Sequence, residues 1–292
     1  MIHFTIAGLD RPTRLDRLLR TQFPQWGRQA VQRLIAEGKV TVNRRAIWLA
    51  SWEVHNGDQV AVADAPRPKP AAPARFDERW LIAETPELVA VNKPAGLLAE
   101  PTRWGQGANL LDLATARFGR LILFHRLDRD TSGVVLLTRP GPINQWLDQA
   151  FKRHTIVKEY LAVAQAPNSL APSGVIDLRL APDPRRRDRM VIVARGGQRA
   201  VTRYAIEEQR DGRQLVHLWP ETGRTHQLRV HLAHWGAPIL GDRLYGSQPP
   251  TGARLMLHAY RITLPAMTGG DARTFVAPLP ANFWSTLPSE GR

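Results

Sequence analysis

The stretch Asp64–Arg75, reading D-A-P-R-P-K-P-A-A-P-A-R, most limits what this chain can fold into. Its four prolines each fix φ and lack a backbone donor, and its apolar residues follow no helical or strand period. Such a segment stays extended and builds no core of its own. The chain is therefore expected to form two separately cored pieces, 1–64 and 77–292, joined by a linker at 65–76. Of the 292 residues, 43% are hydrophobic, so the second piece is long enough for a sizeable interior.

Ahead of the break, Leu15, Leu18 and Leu19 share one face of a short helix. Ala30, Val31, Leu34 and Ile35 share a face of a second helix, which Gly38 ends. Lys39–Val42 reads as a strand, Asn43-Arg44 as a turn, and Asn56-Gly57-Asp58 as a second turn before a strand at Gln59–Val62. Behind the break, strands predominate, at Leu88–Asn92, Val134–Thr138, Ile156–Ala164, Met190–Val193, Val201–Glu207 and Leu215–Leu218. Two helices are expected among them. One carries Ile143, Trp146, Leu147, Ala150 and Phe151 on a core-facing stripe, and the other runs from near Thr225 to about Trp235. Strands in runs with few helices predict an α+β fold around a mixed, largely antiparallel sheet.

Charge narrows the function. The formal net charge is +14, and 35 of the 40 cationic residues are arginine. A polyanionic partner fits, because each phosphate neutralised releases counterions and the guanidinium fork suits phosphate and bases alike. Cysteine is absent, which excludes disulfides, thiolate metal sites and cysteine catalysis. No apolar run reaches the roughly 18–20 residues that span a bilayer, and the start does not read as a signal peptide. A cytoplasmic protein without membrane contact is expected, and a monomer, given a large substrate and high charge.

The densest polar cluster is His125-Arg126-Leu127-Asp128-Arg129-Asp130-Thr131-Ser132-Gly133. Two acids among three bases on one loop are costly unless the loop faces a ligand. A carboxylate among guanidinium groups stays ionised at neutral pH and can serve as nucleophile or base. Asp130-Thr131-Ser132-Gly133 has Asx-turn chemistry, so Asp130 is read as a turn residue and Asp128 as the chemical one.

H-R-L-D-x-x-T-S-G resembles the signature of RluA-type pseudouridine synthases, and His125 sits where the related RsuA-type enzymes usually have glycine. Val91-Asn92-Lys93-Pro94-Ala95-Gly96-Leu97, Lys158-Glu159-Tyr160, the run Thr222 to His231 continued by Pro238 to Gly246, Leu257-His258-Ala259 and Phe275 to Pro280 resemble further segments of that family, in order. Leu264-Pro265-Ala266-Met267 departs from its pattern. The front piece resembles the alpha-L RNA-binding motif, through Arg14-Leu15-Asp16, Arg28, Leu34 to Asn43 and Gly57-Asp58, with Gly27 where a capping Ser is usual.

The resemblance implies roles. Asp128 would be the catalytic carboxylate, Arg229 its basic partner, and Tyr160 the ring that stacks on the target uracil. Leu257 would floor the base, or simply pack the core. Arg126 would fill the space left by a flipped-out base, or form a structural salt bridge. His125, Arg224 and His226 would contact the substrate; His125, His226 and His231 could instead hydrogen-bond the RNA backbone or brace the loops. Arg14, Arg17, Arg28, Arg33, Lys39 and Arg44 would bind RNA, and Pro184 to Arg189 would add a basic loop. The implied reaction is isomerisation of uridine to pseudouridine in RNA. It is redox-neutral and needs no cofactor or metal. Large-subunit ribosomal RNA is the expected target, with transfer RNA the alternative. Attack on the sugar and proton removal from its 2-prime carbon are both open to Asp128. Two rival readings are a metal-dependent nuclease, for which His231 and His234 lie one helical turn apart, and a non-catalytic RNA-binding assembly protein.

Overall fold

The computed structural model describes residues 2–24, 26–63, 73, 75–101, 108–165, 171–186, 188–246, 254–267, 270–281 and 283–284. The chain divides into two compact units, 1–71 and 72–292. Most of the expected linker lies outside the described residues. Phe76, placed at its end by sequence, is instead core: it is buried against Trp80 and Phe118 at ring distances of 5.5 and 5.1 Å.

The first unit runs β1 (Ile2–Thr5), β2 (Thr13–Arg14), α1 (Leu15–Gln22), α2 (Arg28–Ala36), β3 (Val40–Val42), β4 (Arg45–Ile47), β5 (Glu53–Val54) and β6 (Gln59–Val62). Four strands form an antiparallel sheet in the order β1-β6-β3-β4, and β2 pairs with β5. Leu15 and Leu19 of α1 and Val31 and Ile35 of α2 are fully enclosed with Val40, Val54, Val60 and Val62. Burying such a side chain contributes about 1.5–3 kcal/mol. The β3–β4 hairpin turns through Asn43 and Arg44, both at positive φ, which matches the twist of the strands it joins.

The second unit contains β7 (Leu81–Glu84), β8 (Leu88–Lys93), α3 (Leu110–Phe118), β9 (Ile122–Leu123), β10 (Ser132–Thr138), α4 (Pro142–Lys152), β11 (Val157–Gln165), β12 (Ser173–Pro182), β13 (Met190–Ile192), β14 (Gln198–Arg210), β15 (Arg213–Pro220), α5 (Gln227–His234), β16 (Leu257–Leu264) and β17 (Arg273–Val276). Eleven strands join in one sheet, with main order β13-β12-β14-β15-β11-β16-β10-β8-β7. Its pairings are antiparallel apart from β10 with β16. The α+β expectation holds, but α3, β7, β9, β12, β16 and β17 lie outside the elements read from the sequence.

Side chains of β8 and β10 alternate between two buried layers. Val89, Val91, Val135 and Leu137 pack with Leu110, Leu113 and Ala114 of α3, whereas Leu88, Ala90, Val134 and Leu136 pack with Ile143, Leu147 and Ala150 of α4. Burial on both faces explains why β10 reads as a continuous apolar run. At the other end, Leu228 and Leu232 of α5 pack on Ala162, Val216 and Leu218. The loops before β10 and before α5 meet over the middle of the sheet.

Candidate active site

Between β9 and the turn at Arg129, the side chains of His125–Asp128 part to two sides. Leu127 is buried in the α3 layer. His125 also turns inward: its Nε2 accepts the Leu136 N–H at 3.0 Å and its ring lies 5.8 Å from that of Phe151. Burial holds its imidazole down to about 4. Arg126 and Asp128 point the other way and line a cavity of about 160 Å³, far above the roughly 10–15 Å³ that admits one water. His125 does not line that cavity; its bond to Leu136 matches the loop-bracing alternative that its sequence left open.

The turn after Asp128 is fastened from below. Thr131 N–H donates to Asp128 O at 3.1 Å, and Arg129 O accepts from Gly96 N–H at 2.8 Å and from Lys93 Nζ at 3.0 Å. Lys93 is wholly buried and also donates to Pro94 O and Leu97 O. Burial pushes its ammonium down to about 7, against the pull of Asp130 and Asp128. Asp130 does not make the expected side-chain turn; its carboxylate grips Arg129 through two bonds of 3.0 and 3.1 Å. Burial raises the Asp130 carboxyl, but Arg129 together with the charges of Arg229 and Lys93 outweighs it and holds the group below its usual value. Gly133 follows at φ +119, where a Cβ would lie 2.2 Å from Ala259 O. Only glycine lets β10 and β16 approach here. Beside it, the buried Ser132 hydroxyl meets His258 Nδ1 at 2.8 Å and accepts from Arg254 Nη1 at 3.0 Å.

The opposite wall is the run Thr222–Arg229. Gln227 clasps it to β14: its Oε1 accepts from Thr222 Oγ1 and Arg224 N–H at 2.7 and 3.0 Å, and its Nε2 donates to Val201 O and Thr202 Oγ1, both at 2.9 Å. His226 enters α5 in a left-handed conformation, φ +55. Arg229 is buried. It forks onto Asp242 at 2.7 and 2.8 Å and reaches Asp128 Oδ2 at 3.4 Å through Nη1. The guanidinium thus bridges two carboxylates. Burial disfavours its charge, but Asp242 and then Asp128 outweigh that and raise it. Asp242 also accepts the N–H groups of Leu244 and Tyr245 at 2.9 and 3.2 Å.

Tyr245 completes the support. Its ring lies 5.2 Å from the Arg229 guanidinium, and its hydroxyl accepts the Met190 N–H at 2.8 Å. Burial raises its phenol, so it keeps its proton. That proton is left to point at His226 Nδ1, 2.9 Å away. A neutral His226, favoured by burial, then carries its hydrogen on Nε2, which faces Asp128 Oδ2 at 3.7 Å. This tautomer is assigned from the bonding network.

Tyr160 and Leu257 line the cavity with Asp128. Burial, then the Asp128 charge, raises the Tyr160 phenol. Lys158 lines the same wall, its ammonium lowered by burial. Arg126 lies at the rim, two-thirds exposed, with Nη1 bonded to Glu100 at 2.9 Å. Arg224 is exposed and donates through Nε to Arg199 O at 3.1 Å. The structure thus brings together Asp128, Arg229, Tyr160, Leu257, Arg126, Arg224 and His226. Asp242, Tyr245, Lys93 and Lys158 were not singled out by sequence, although each lies in or beside a segment that was. His231 is fully buried with Nδ1 3.0 Å from Thr202 Oγ1, and no metal-binding group of three or more His, Asp or Glu occurs among the described residues. The basic loop is tethered at its end, where Arg189 lies 5.1 Å from the Tyr245 ring; Arg187 is outside the described residues.

A carboxylate held by a buried guanidinium, at a cavity walled by a tyrosine and floored by a leucine, is equipped to bind a flat polar ring and act on what carries it. The family described as RNA pseudouridylate synthase matches residues 87–234. Ribosomal large subunit pseudouridine synthase D of Neisseria meningitidis is 30% identical over 297 residues, covering 94% of this chain and 78% of that protein. The chain belongs to the RNA pseudouridylate synthase family. The Escherichia coli relative of the same description is 30% identical over 300 residues, covering 94% and 90%. The solved structure of human RNA pseudouridylate synthase domain containing 4 is 30% identical with a TM-score of 0.56, covering 70% of this chain and 90% of that one. An S4 domain matches residues 13–60.

In that S4 unit, Arg14, Arg17, Arg28, Arg33 and Arg44 are exposed. Arg14 is paired with Asp16 at 3.0 Å, and Glu37 takes Arg33 at 2.6 Å and Lys39 at 3.2 Å. Gly27 gives α2 no side-chain cap, as its sequence implied.

Proposed function

We propose that this protein isomerises uridine to pseudouridine in large-subunit ribosomal RNA, with Asp128 as the essential carboxylate. The observation that carries the assignment is the contact of Asp128 with Arg229 in the same cavity as Tyr160 and Leu257. The relatives described as large-subunit enzymes support the choice of RNA. In this reading the uridine is drawn out of its stack at a cost of a few kcal/mol, and its uracil lies between Tyr160 and Leu257. Base–aromatic stacking contributes about 1–3 kcal/mol. Arg229 holds the Asp128 carboxylate in position through its Nη1 contact, and Asp242 keeps Arg229 in place. The bond from the anomeric carbon to nitrogen 1 breaks, the uracil turns within the cavity, and carbon 5 bonds to the anomeric carbon. Carbon 5 loses a proton and nitrogen 1 gains one, so nothing else is consumed. Excluding water protects the sugar from hydrolysis meanwhile.

Arg126 and Arg224 at the rim meet the flanking backbone, Arg126 after releasing Glu100. The S4 unit, the front piece of a chain divided near 65–76, holds the RNA through its exposed arginines. The protein acts as a monomer in the cytoplasm; no helix among the described residues is long and apolar enough to cross a membrane. The test is Asp128→Asn. The purified variant should form no pseudouridine and bind RNA as the parent does; measurable turnover refutes the assignment. Pseudouridine maps of all RNAs with and without the gene test the target: a lost site in transfer RNA alone overturns the ribosomal choice.

A further inference from the structure

The first unit carries a surface feature that its arginines do not explain. Within five residues, three large apolar side chains stand in solvent: Trp48 is 65% exposed, Leu49 61% and Trp52 36%. Single exposed apolar residues are ordinary, but a contiguous group marks an interaction site. All three lie in the connection between β4 and β5.

That connection is firmly held. Trp52 N–H donates to Leu49 O at 3.0 Å, closing a turn. The carbonyls of Trp52 and Ala50 accept the N–H groups of Leu15 and Asp16 at 2.8 and 3.2 Å. Arg14 gives α1 no side-chain cap, so the connection satisfies two donors that a helix start leaves open. Each indole is placed as well. Trp48 lies across Gly38, at φ +66, where a Cβ would come within 2.7 Å of its Nε1. Trp52 has the Arg45 guanidinium 5.7 Å from its ring centroid. Arg44, next along the hairpin, is exposed.

We propose that Trp48 and Trp52 form a stacking platform for unpaired nucleobases of the substrate RNA, with Arg44 and Arg45 beside it for the phosphates. This rests on the reading of the protein as an RNA-modifying enzyme. A base is favoured over an apolar protein surface for two reasons. Residues 1–63 carry nine Lys and Arg against five Asp and Glu, so the unit attracts a polyanion. A fixed aromatic face beside a guanidinium also suits a base and its phosphate together. Such stacking tolerates any sequence, because every base has a π-face.

The test compares the full-length parent with two double variants, Trp48→Leu with Trp52→Leu and Trp48→Phe with Trp52→Phe. The probes are a single-stranded oligouridine and an RNA duplex of equal length. The leucine pair should weaken single-strand binding by about tenfold or more, and the phenylalanine pair should stay within about threefold of the parent. Duplex affinity should not differ among the three. Arg45→Gln, which alters no aromatic ring, should weaken single-strand binding a few-fold. A leucine pair that binds oligouridine like the parent overturns the platform. So does one whose only change is in self-association by sedimentation or in the unfolding midpoint. Pseudouridine formation by the parent is read in parallel. If the parent forms pseudouridine while the leucine pair loses no affinity, the platform alone fails. If the parent forms none, the enzymatic reading fails, whatever the tryptophans do.

Discussion

Arg229 and Asp242 form an ion pair with almost no access to water. Such pairs contribute little net stability when intact, but removing one partner leaves a buried charge uncompensated. Asp242→Asn should therefore cost about 3–5 kcal/mol, read as a lower urea midpoint, and should reduce pseudouridine formation because Arg229 loses its anchor. An unchanged midpoint would mean that Asp128 alone suffices to hold the guanidinium. Lysine at 229 could not serve, since a point charge cannot fork onto one carboxylate while touching another. At this scale the sequence was partly legible. The H-R-L-D run announced Asp128 by its charge density, and the resemblance named Arg229. Asp242 stayed hidden because a single aspartate beside Gly241 shows no period and no cluster; only the fold brings it across 13 residues to Arg229. His125 was legible only as a choice between substrate contact and loop bracing, since the sequence does not say which way its ring turns; the fold turns it toward Leu136 and Phe151.

Among the elements, the contact of β10 with β16 governs the site, since it fixes the loop that bears Asp128 on one side and Leu257 on the other. Gly133→Ala would drive a methyl group into the Ala259 backbone at a φ that alanine avoids. We expect a loss of at least about 2 kcal/mol together with a fall in kcat, measured by thermal unfolding and steady-state assay. Retention of both would show that the strands can part without harm. The strong signals here were legible: the i, i+3, i+4 stripe of α4 and the apolar run of β10 gave both elements. Helix α3 was not, because Leu110, Leu111, Leu113, Ala114, Ala116 and Phe118 surround it with apolar side chains and blur the period. Its ends were nevertheless marked, by Asn109, whose side chain accepts the Asp112 N–H, and by Gly119 at φ +81.

For the molecule as a whole, two buried histidines and the half-buried His125 govern the response to acid. His125, His231 and His258 are each held down to about 4, chiefly by burial. Unfolded, they take up protons near pH 6.5. Between pH 6.5 and 4 the unfolded chain binds more protons than the folded one, so stability falls as pH falls through that window. The loss should reach at least about 3 kcal/mol by pH 4; a urea midpoint flat across this range would show these rings already charged in the fold. The four prolines predict a break at 65–76, and the two compact units divide at 71–72; the strand order was not legible, since pairings such as β10 with β16 join residues more than 120 positions apart. Lys93 has a consequence of its own. Three carbonyls accept the three hydrogens of its ammonium, and no solvent reaches it. An acylating reagent should modify Lys152, whose Nζ meets only Asp148 at the surface, and spare Lys93 until β8 and the Arg129 turn separate. Its labelling rate, followed by mass spectrometry, then becomes a clock for opening of the loop that bears Asp128, and prompt labelling in native buffer would show that loop to be loose.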